Sequence, residues 1–131
     1  MARQYFNSQL VDLERELLRM GALVEDQLRA AVRSLTEKDS VMAREVIAED
    51  DRVDAMEMDI ERSCLTLLAL QQPLASDLRI ISTALKIITD LERMADHATD
   101  IAQITLRLEN QAFIKPLVDI PEMARLASSM A

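Results

Sequence analysis

Apolar residues from Leu10 onward recur at steps of three and four: Leu10, Leu13, Leu17, Met20, Val24, Leu28, Ala31 and Leu35. That spacing predicts an amphipathic helix sustained for about seven turns. The lone glycine, Gly21, falls inside it and costs about 1 kcal/mol against alanine in a helix interior. A second stripe, Met42, Val46, Val53, Met56, Ile60, Cys64 and Leu67, predicts another helix with Asp39 or Ser40 as its N-cap. It stops before Pro73. The residue preceding a proline avoids the helical region, so the break falls at Gln72.

A third helix is predicted from Ser76, a good capping residue, through Leu78, Ile81, Leu85, Ile88, Leu91, Ala95, Ala98 and Ala102. It fades at Glu109 and Asn110. Residues 111–119, which hold Pro116, read as a loop, and Pro121–Glu122 reads as the first turn of a fourth helix. Short connections make consecutive helices antiparallel neighbours. The expected fold is all-α: an elongated antiparallel three-helix bundle plus the start of a fourth helix. An ending inside an apparent helix is what a fragment of a longer protein would show.

Composition supports the helical reading. One glycine and three prolines in 131 residues are too few for the turns a sheet protein needs. A chain 50% hydrophobic also buries enough surface to offset the entropy of ordering. A single cysteine, Cys64, forms no internal disulfide and suits a reducing compartment. The first residues carry no apolar signal core, and no apolar run approaches the roughly 20 residues of a spanning helix. A cytoplasmic location without membrane insertion is therefore expected. Nucleic acid is not expected as a partner, because a net charge of −8 opposes phosphate and stacking aromatics are scarce.

The negative charge is concentrated. Residues 39–61 hold nine acidic residues against two basic ones, a net −7, and nearly all the acidity belongs to one half of the second helix. At about 100° per residue, Asp50, Asp54 and Glu57 line the edge of the apolar stripe instead of the opposite face. On the third helix, with Leu78 as origin, Glu92 lies about 40° away and Asp96 falls on the same line, with Asp100 on its margin. Asp50-x-x-x-Asp54 and Glu92-x-x-x-Asp96 each set two carboxylates one turn apart on one face.

Divalent cations relieve such repulsion, and bundles build multi-metal carboxylate sites from facing helices. All-oxygen donors favour hard ions such as Mg²⁺, Mn²⁺ or iron. The competing reading is a solvated acidic face paired with Arg15, Arg19, Arg29 or Arg33 of the first helix. His97 points about 100° away from Asp96 and reads as a solvated histidine. Cys64 reads as a small core residue and the eight methionines as core filler. No glycine-rich phosphate loop, nucleophile–histidine spacing or Glu-x-x-His pair occurs, so no catalytic residues and no organic cofactor are expected.

The segment Gln71-Gln72-Pro73-Leu74-Ala75-Ser76-Asp77-Leu78-Arg79, between helices two and three, resembles the "QP-x-ASDLR" signature of the PhoU family. Three further stretches agree: Phe6–Leu10 with Met20-Gly21; Val46-Ile47 with Asp50, Val53, Asp54 and Glu57; and Asp90–Ala98, similar to the family's "LERIGDHA" segment. Ala95 stands where the family usually has glycine, a change of one methyl group in mid-helix.

The resemblance implies two tandem three-helix repeats. Residues 4–110 would supply one, and 111–131 a linker and the start of a second, truncated repeat. It also implies metal sites built on E(D)-x-x-x-D motifs, here Asp50, Asp54, Glu92 and Asp96, with Glu57 and Asp100 as further candidates. The implied function is regulatory and non-enzymatic. Such a protein sits between the ATPase of the phosphate transporter and the sensor histidine kinase, restraining phosphate uptake and the starvation response. Gln72, Pro73, Ser76, Asp77 and Arg79 are the candidate partner contacts, with Arg79 pointing away from the apolar stripe. An uncovered bundle face would favour a homodimer. Two alternatives use the same residues: a carboxylate-type metal-binding or storage bundle, and a plain structural helical module.

Overall fold

In the computed structural model the described residues, 2–69 and 73–109, form three helices: α1 (Ala2–Glu37), α2 (Ser40–Ala69) and α3 (Ala75–Glu109). The expected linker and fourth-helix start over 111–131 and the expected break at Gln72 lie outside the described residues. All three helices pack against one another, up-down-up, as the short connections require. With 36, 30 and 35 residues, they run for about 45–54 Å at 1.5 Å per residue.

Helix α1 begins well before the stripe that announced it. Phe6 is buried and continues the line of Leu13 and Met20 by one heptad. The line then runs on through Gln27 and Ser34, both buried. On α2 the same seven-residue recurrence gives two core lines, Val46–Val53–Ile60–Leu67 and Ala43–Asp50–Glu57–Cys64. Asp50 and Glu57, both half-buried, thus occupy the two middle positions of a line that begins at a buried alanine and ends at a buried cysteine.

The α1–α2 connection is two residues long and explains itself. Lys38 adopts a left-handed backbone (φ 54°), and Asp39 N–H donates to Ser34 O at 2.8 Å, the Schellman arrangement that closes a helix. Asp39 then caps the next helix: its carboxylate accepts from Met42 N–H at 3.0 Å, and its carbonyl accepts from Ala43 N–H at 3.1 Å. One aspartate therefore ends α1 and starts α2.

Helix α3 is capped differently from expectation. Ser76 is exposed within the first turn, and Leu74 is the N-cap, its carbonyl accepting the first helical bond from Leu78 N–H at 3.0 Å. The Asp77 carboxylate reaches back to Leu74 N–H at 3.0 Å, the acidic half of a capping box. The apolar line is also rotated. Leu78, taken as its origin, is 41% exposed, while Asp77, Ile81, Ala84 and Ile88 face inward.

The two halves of the core differ in content. Toward the α2–α3 connection it holds Phe6, Leu13, Met20, Ile60, Leu67, Ile81 and Ile88. At the other end it holds Ala31, Ala43, Ala95, Ala98 and Ala102, with Gln27, Ser34 and Thr105 as buried polar neighbours. Ser34 donates to Ala31 O of its own helix at 2.7 Å, and its Oγ lies 3.2 Å from the Thr105 hydroxyl, which can donate either to it or to Ile101 O at 3.3 Å. Small side chains let the helices approach, and hydroxyls bonded in this way are satisfied without water.

Candidate functional site

The acidic positions of α2 face α3 across a narrow seam. Glu57 and Glu92 come within hydrogen-bonding reach, and the Glu57 carboxyl is pushed up to about 7. Burial is the largest cause, followed by the hydrogen bond with Glu92 and the charges of Glu92, Asp54 and Glu61. Two carboxylates in contact ionise together only at a cost, which favours the protonated form of Glu57. Glu92 lies on the flanking line Leu85–Glu92–Thr99–Leu106 of α3, half-buried like its neighbours.

Asp50 stands seven residues before Glu57 on α2. Its carboxyl is also raised, first by burial and then by the charges of Asp54, Asp96 and Asp51. The amide of Gln27, reaching across from α1, acts the other way by hydrogen-bonding it. Gln27 is 3% exposed. Its Nε2–H donates to Val46 O at 3.2 Å, on the turn of α2 just before Asp50. Gln27 Oε1, Asp50 Oδ1 and Thr99 Oγ1 are buried with no hydrogen-bond partner in the protein. Such atoms mark a place that favours a positive or donating group.

The structure therefore brings Asp50, Asp54 and Glu57 of α2 together with Glu92 and Asp96 of α3 as neighbours along one seam. It places them differently from the expectation for α3, however. Asp96 and Asp100 are exposed, because the core line runs through Ile88 and Ala95 and only Glu92 leans into the seam. Among the described residues no three His, Cys, Asp or Glu side chains close around a point that would hold a metal ion. The donor set suits a hard cation, but the arrangement is a row of pairs, so enclosing an ion requires rotamer changes. The arginines of α1 do not neutralise the seam. Arg19, Arg29 and Arg33 pair with Glu16, Glu25 and Glu37 of their own helix. His97 is exposed and Cys64 is buried, its thiol pushed up by burial and by Glu61.

At the other candidate region Pro73 is half-buried, Ser76 and Arg79 are exposed, and Gln72 lies outside the described residues. Asp77 is 2% exposed. Both its oxygens are engaged within the protein: Arg3 of α1 donates NH1 to Oδ2 at 2.6 Å and NH2 to Oδ1 at 3.0 Å. These bonds hold the Asp77 carboxyl below the usual aspartate range, helped by the Leu74 N–H. Tyr5, Leu74 and Leu78 are exposed around this end of the bundle.

Two residues here were not singled out by sequence, Gln27 and Arg3. Gln27 stood at the next heptad position after Leu13 and Met20, and a polar residue on a core line was the available signal. Arg3 gave none, because its partner is 74 residues away.

An open groove of about 670 Å³ runs between α1 and α3, lined by Leu17, Leu18, Gly21, Ala22, Ile87 and Leu91. Leu18 is 74% exposed there. A methyl group added at Gly21 would meet nothing within 4 Å.

Among the described residues no helix is long and apolar enough to cross a membrane. The family model of the PhoU domain matches residues 17–105. The chain is similar to the phosphate-specific transport system accessory protein PhoU homolog of Clostridium acetobutylicum, 42% identical over 99% of this chain and 60% of the relative. The homolog of Aquifex aeolicus is 38% identical over 93% of this chain and 55% of its own length. The Serratia marcescens accessory protein PhoU is 36% identical over 92% of this chain and 49% of its own. The chain thus spans between half and three fifths of these curated relatives.

Proposed function

Because the chain belongs to the PhoU family, whose domain accounts for residues 17–105, we propose that it is the regulatory bundle of a phosphate-transport accessory protein. In this reading it acts without catalysis, in the cytoplasm. It docks on the ATPase of a phosphate transporter and on a sensor histidine kinase, restraining uptake and the starvation response. The observation that carries the reading is the resemblance to phosphate-specific transport system accessory proteins over almost the whole chain. The physical character agrees: a stiff, three-helix rod with a strongly acidic flank is a docking body.

The contact is assigned to the end of the bundle bearing Pro73, Ser76 and Arg79, where exposed side chains stand on a clamped backbone. The seam of Asp50, Asp54, Glu57, Glu92 and Asp96 is the proposed place for a hard cation such as Mg²⁺, Mn²⁺ or iron. Such an ion would favour the ionised Glu57 carboxyl and draw α2 and α3 together. Support comes from the raised Glu57 carboxyl and the unpartnered Asp50 Oδ1, both of which gain from a positive charge.

Binding of the full-length protein to the purified ATPase and to the kinase's cytoplasmic region tests the docking. Saturable binding to either supports it, and binding to neither overturns it. Calorimetric titration of Mn²⁺ tests the seam separately. Saturable uptake lost in Glu92→Ala/Asp96→Ala supports the metal reading, and identical traces for the two proteins remove it.

A further inference from the structure

The signature segment between α2 and α3 contains an aspartate that is not available to a partner. Asp77 is 2% exposed, and its two oxygens take two bonds from Arg3 and one from the Leu74 N–H. The same Arg3 guanidinium lies 5.3 Å from the centre of the Phe6 ring, and Phe6 is itself buried. A chain of contacts therefore runs from the α1 core through Phe6 and Arg3 to Asp77, and from there to the first backbone amide of α3. Around it stand exposed groups: Leu74 at 58%, Leu78 at 41%, and Ser76 and Arg79.

We infer that Arg3 is a positioning residue, the α1 half of a latch that locks the start of α3 so that Leu74, Leu78 and Arg79 are presented as one preformed contact surface. The argument is geometric. Leu74 follows Pro73 and precedes the first helical turn, so its N–H has no helical acceptor and depends on Asp77. A lone carboxylate in that role would be free to swing toward water. The planar two-point grip of a guanidinium fixes both its position and its plane.

Preorganisation of this kind lowers the ordering cost that a partner would otherwise meet on binding. Arg3 touches no partner in this account. It acts through Asp77. The inference rests on the reading that this end of the bundle docks the ATPase of a phosphate transporter, the partner suggested by its relatives, which are named as accessory proteins of a phosphate-specific transport system.

The test compares the full-length protein with its Arg3→Met and Arg3→Lys variants. Methionine keeps a stem over Phe6 and removes the grip, while lysine restores charge without the two-point geometry. Amide exchange at Leu74 and Leu78 is read first, with Ile88 as an internal control. Arg3→Met is expected to exchange about tenfold faster at Leu74, with Ile88 unchanged, and Arg3→Lys to fall between. Binding to the purified transporter ATPase is then expected to weaken about fivefold in Arg3→Met, with helicity preserved.

Unchanged exchange at Leu74 overturns the latch whatever the binding shows, and leaves the docking reading standing. Faster exchange with unchanged affinity overturns the presenting role. Failure of the unsubstituted protein to bind the transporter ATPase overturns the docking of this surface on it, and the presenting role falls with it. If Ile88 also exchanges faster, Arg3 is a general stabiliser and the inference is overturned.

Discussion

The two halves of this bundle differ in what they bury. Near the α2–α3 connection, large side chains such as Leu13, Met20, Ile60 and Ile81 fill the interior, and Asp77, the only buried charged residue among the described residues, is paired outright by Arg3. At the far half, alanines share the core with Leu28, Leu35, Val46 and Ile101, and polar groups enter it: Gln27, Ser34 and Thr105, with Asp50 at its edge. Three of the four buried polar or charged side chains among the described residues therefore lie in that half.

The sharpest way to break this contrast is to remove bulk where bulk is said to matter. Ile60→Ala, at a position only 1% exposed, is expected to cost about 3–4 kcal/mol in denaturant unfolding, the range for truncating a fully buried branched side chain. A cost under about 1 kcal/mol would deny the first half its role. The complementary change adds volume to the second half. Ala98→Val, at a position with no exposure, is expected to cost about 2 kcal/mol by forcing apart helices that meet on alanine. If it is neutral, the close approach is slack.

The smallest effect concerns the seam that joins the halves. The Glu57 carboxyl is raised from its ordinary 4.5 to about 7 in the folded state. A group raised on folding contributes its stability below the unfolded value, and that contribution is lost as pH rises through the folded one. Stability is therefore expected to fall between about pH 4.5 and 7.5 on this account. Because Glu57 is only half-buried, solvent screening holds the effect to about 1 kcal/mol. Glu57→Gln is expected to flatten that slope and to be the more stable protein at pH 8. A slope unchanged in the variant would assign it to other groups.

What the sequence disclosed and what it hid follow from the range of the interactions. The stripes of α1 and α2 and the Asp39 cap are local patterns, readable within a turn or two of chain. On α3 Ile81, Ile88, Ala95, Ala98 and Ala102 of the expected stripe are buried, but Leu78, its chosen origin, stands about 100° from the buried line. That line passes through Asp77, and an aspartate does not announce itself as an inward position. The same rotation carries Asp96 outward, so the seam is shallower on α3 than spacing implied. That α2 and α3 bring Glu57 against Glu92 depends on the register between helices, which no single helix encodes. Gln27 and Arg3 act across 19 and 74 residues of chain and belong to the same class.

Asp39's double duty has a kinetic side. A turn that closes over two residues imposes almost no chain-entropy cost. Once α1 and α2 have been synthesised they can pair as a hairpin while α3 is still being made. The carboxylate seam is different, because half of it lies on α3, the last of these three helices to be made. During biosynthesis, a chain without α3 already possesses a hairpin but has no second wall for a cation. The candidate binding function is thus born with the finished bundle and not before it.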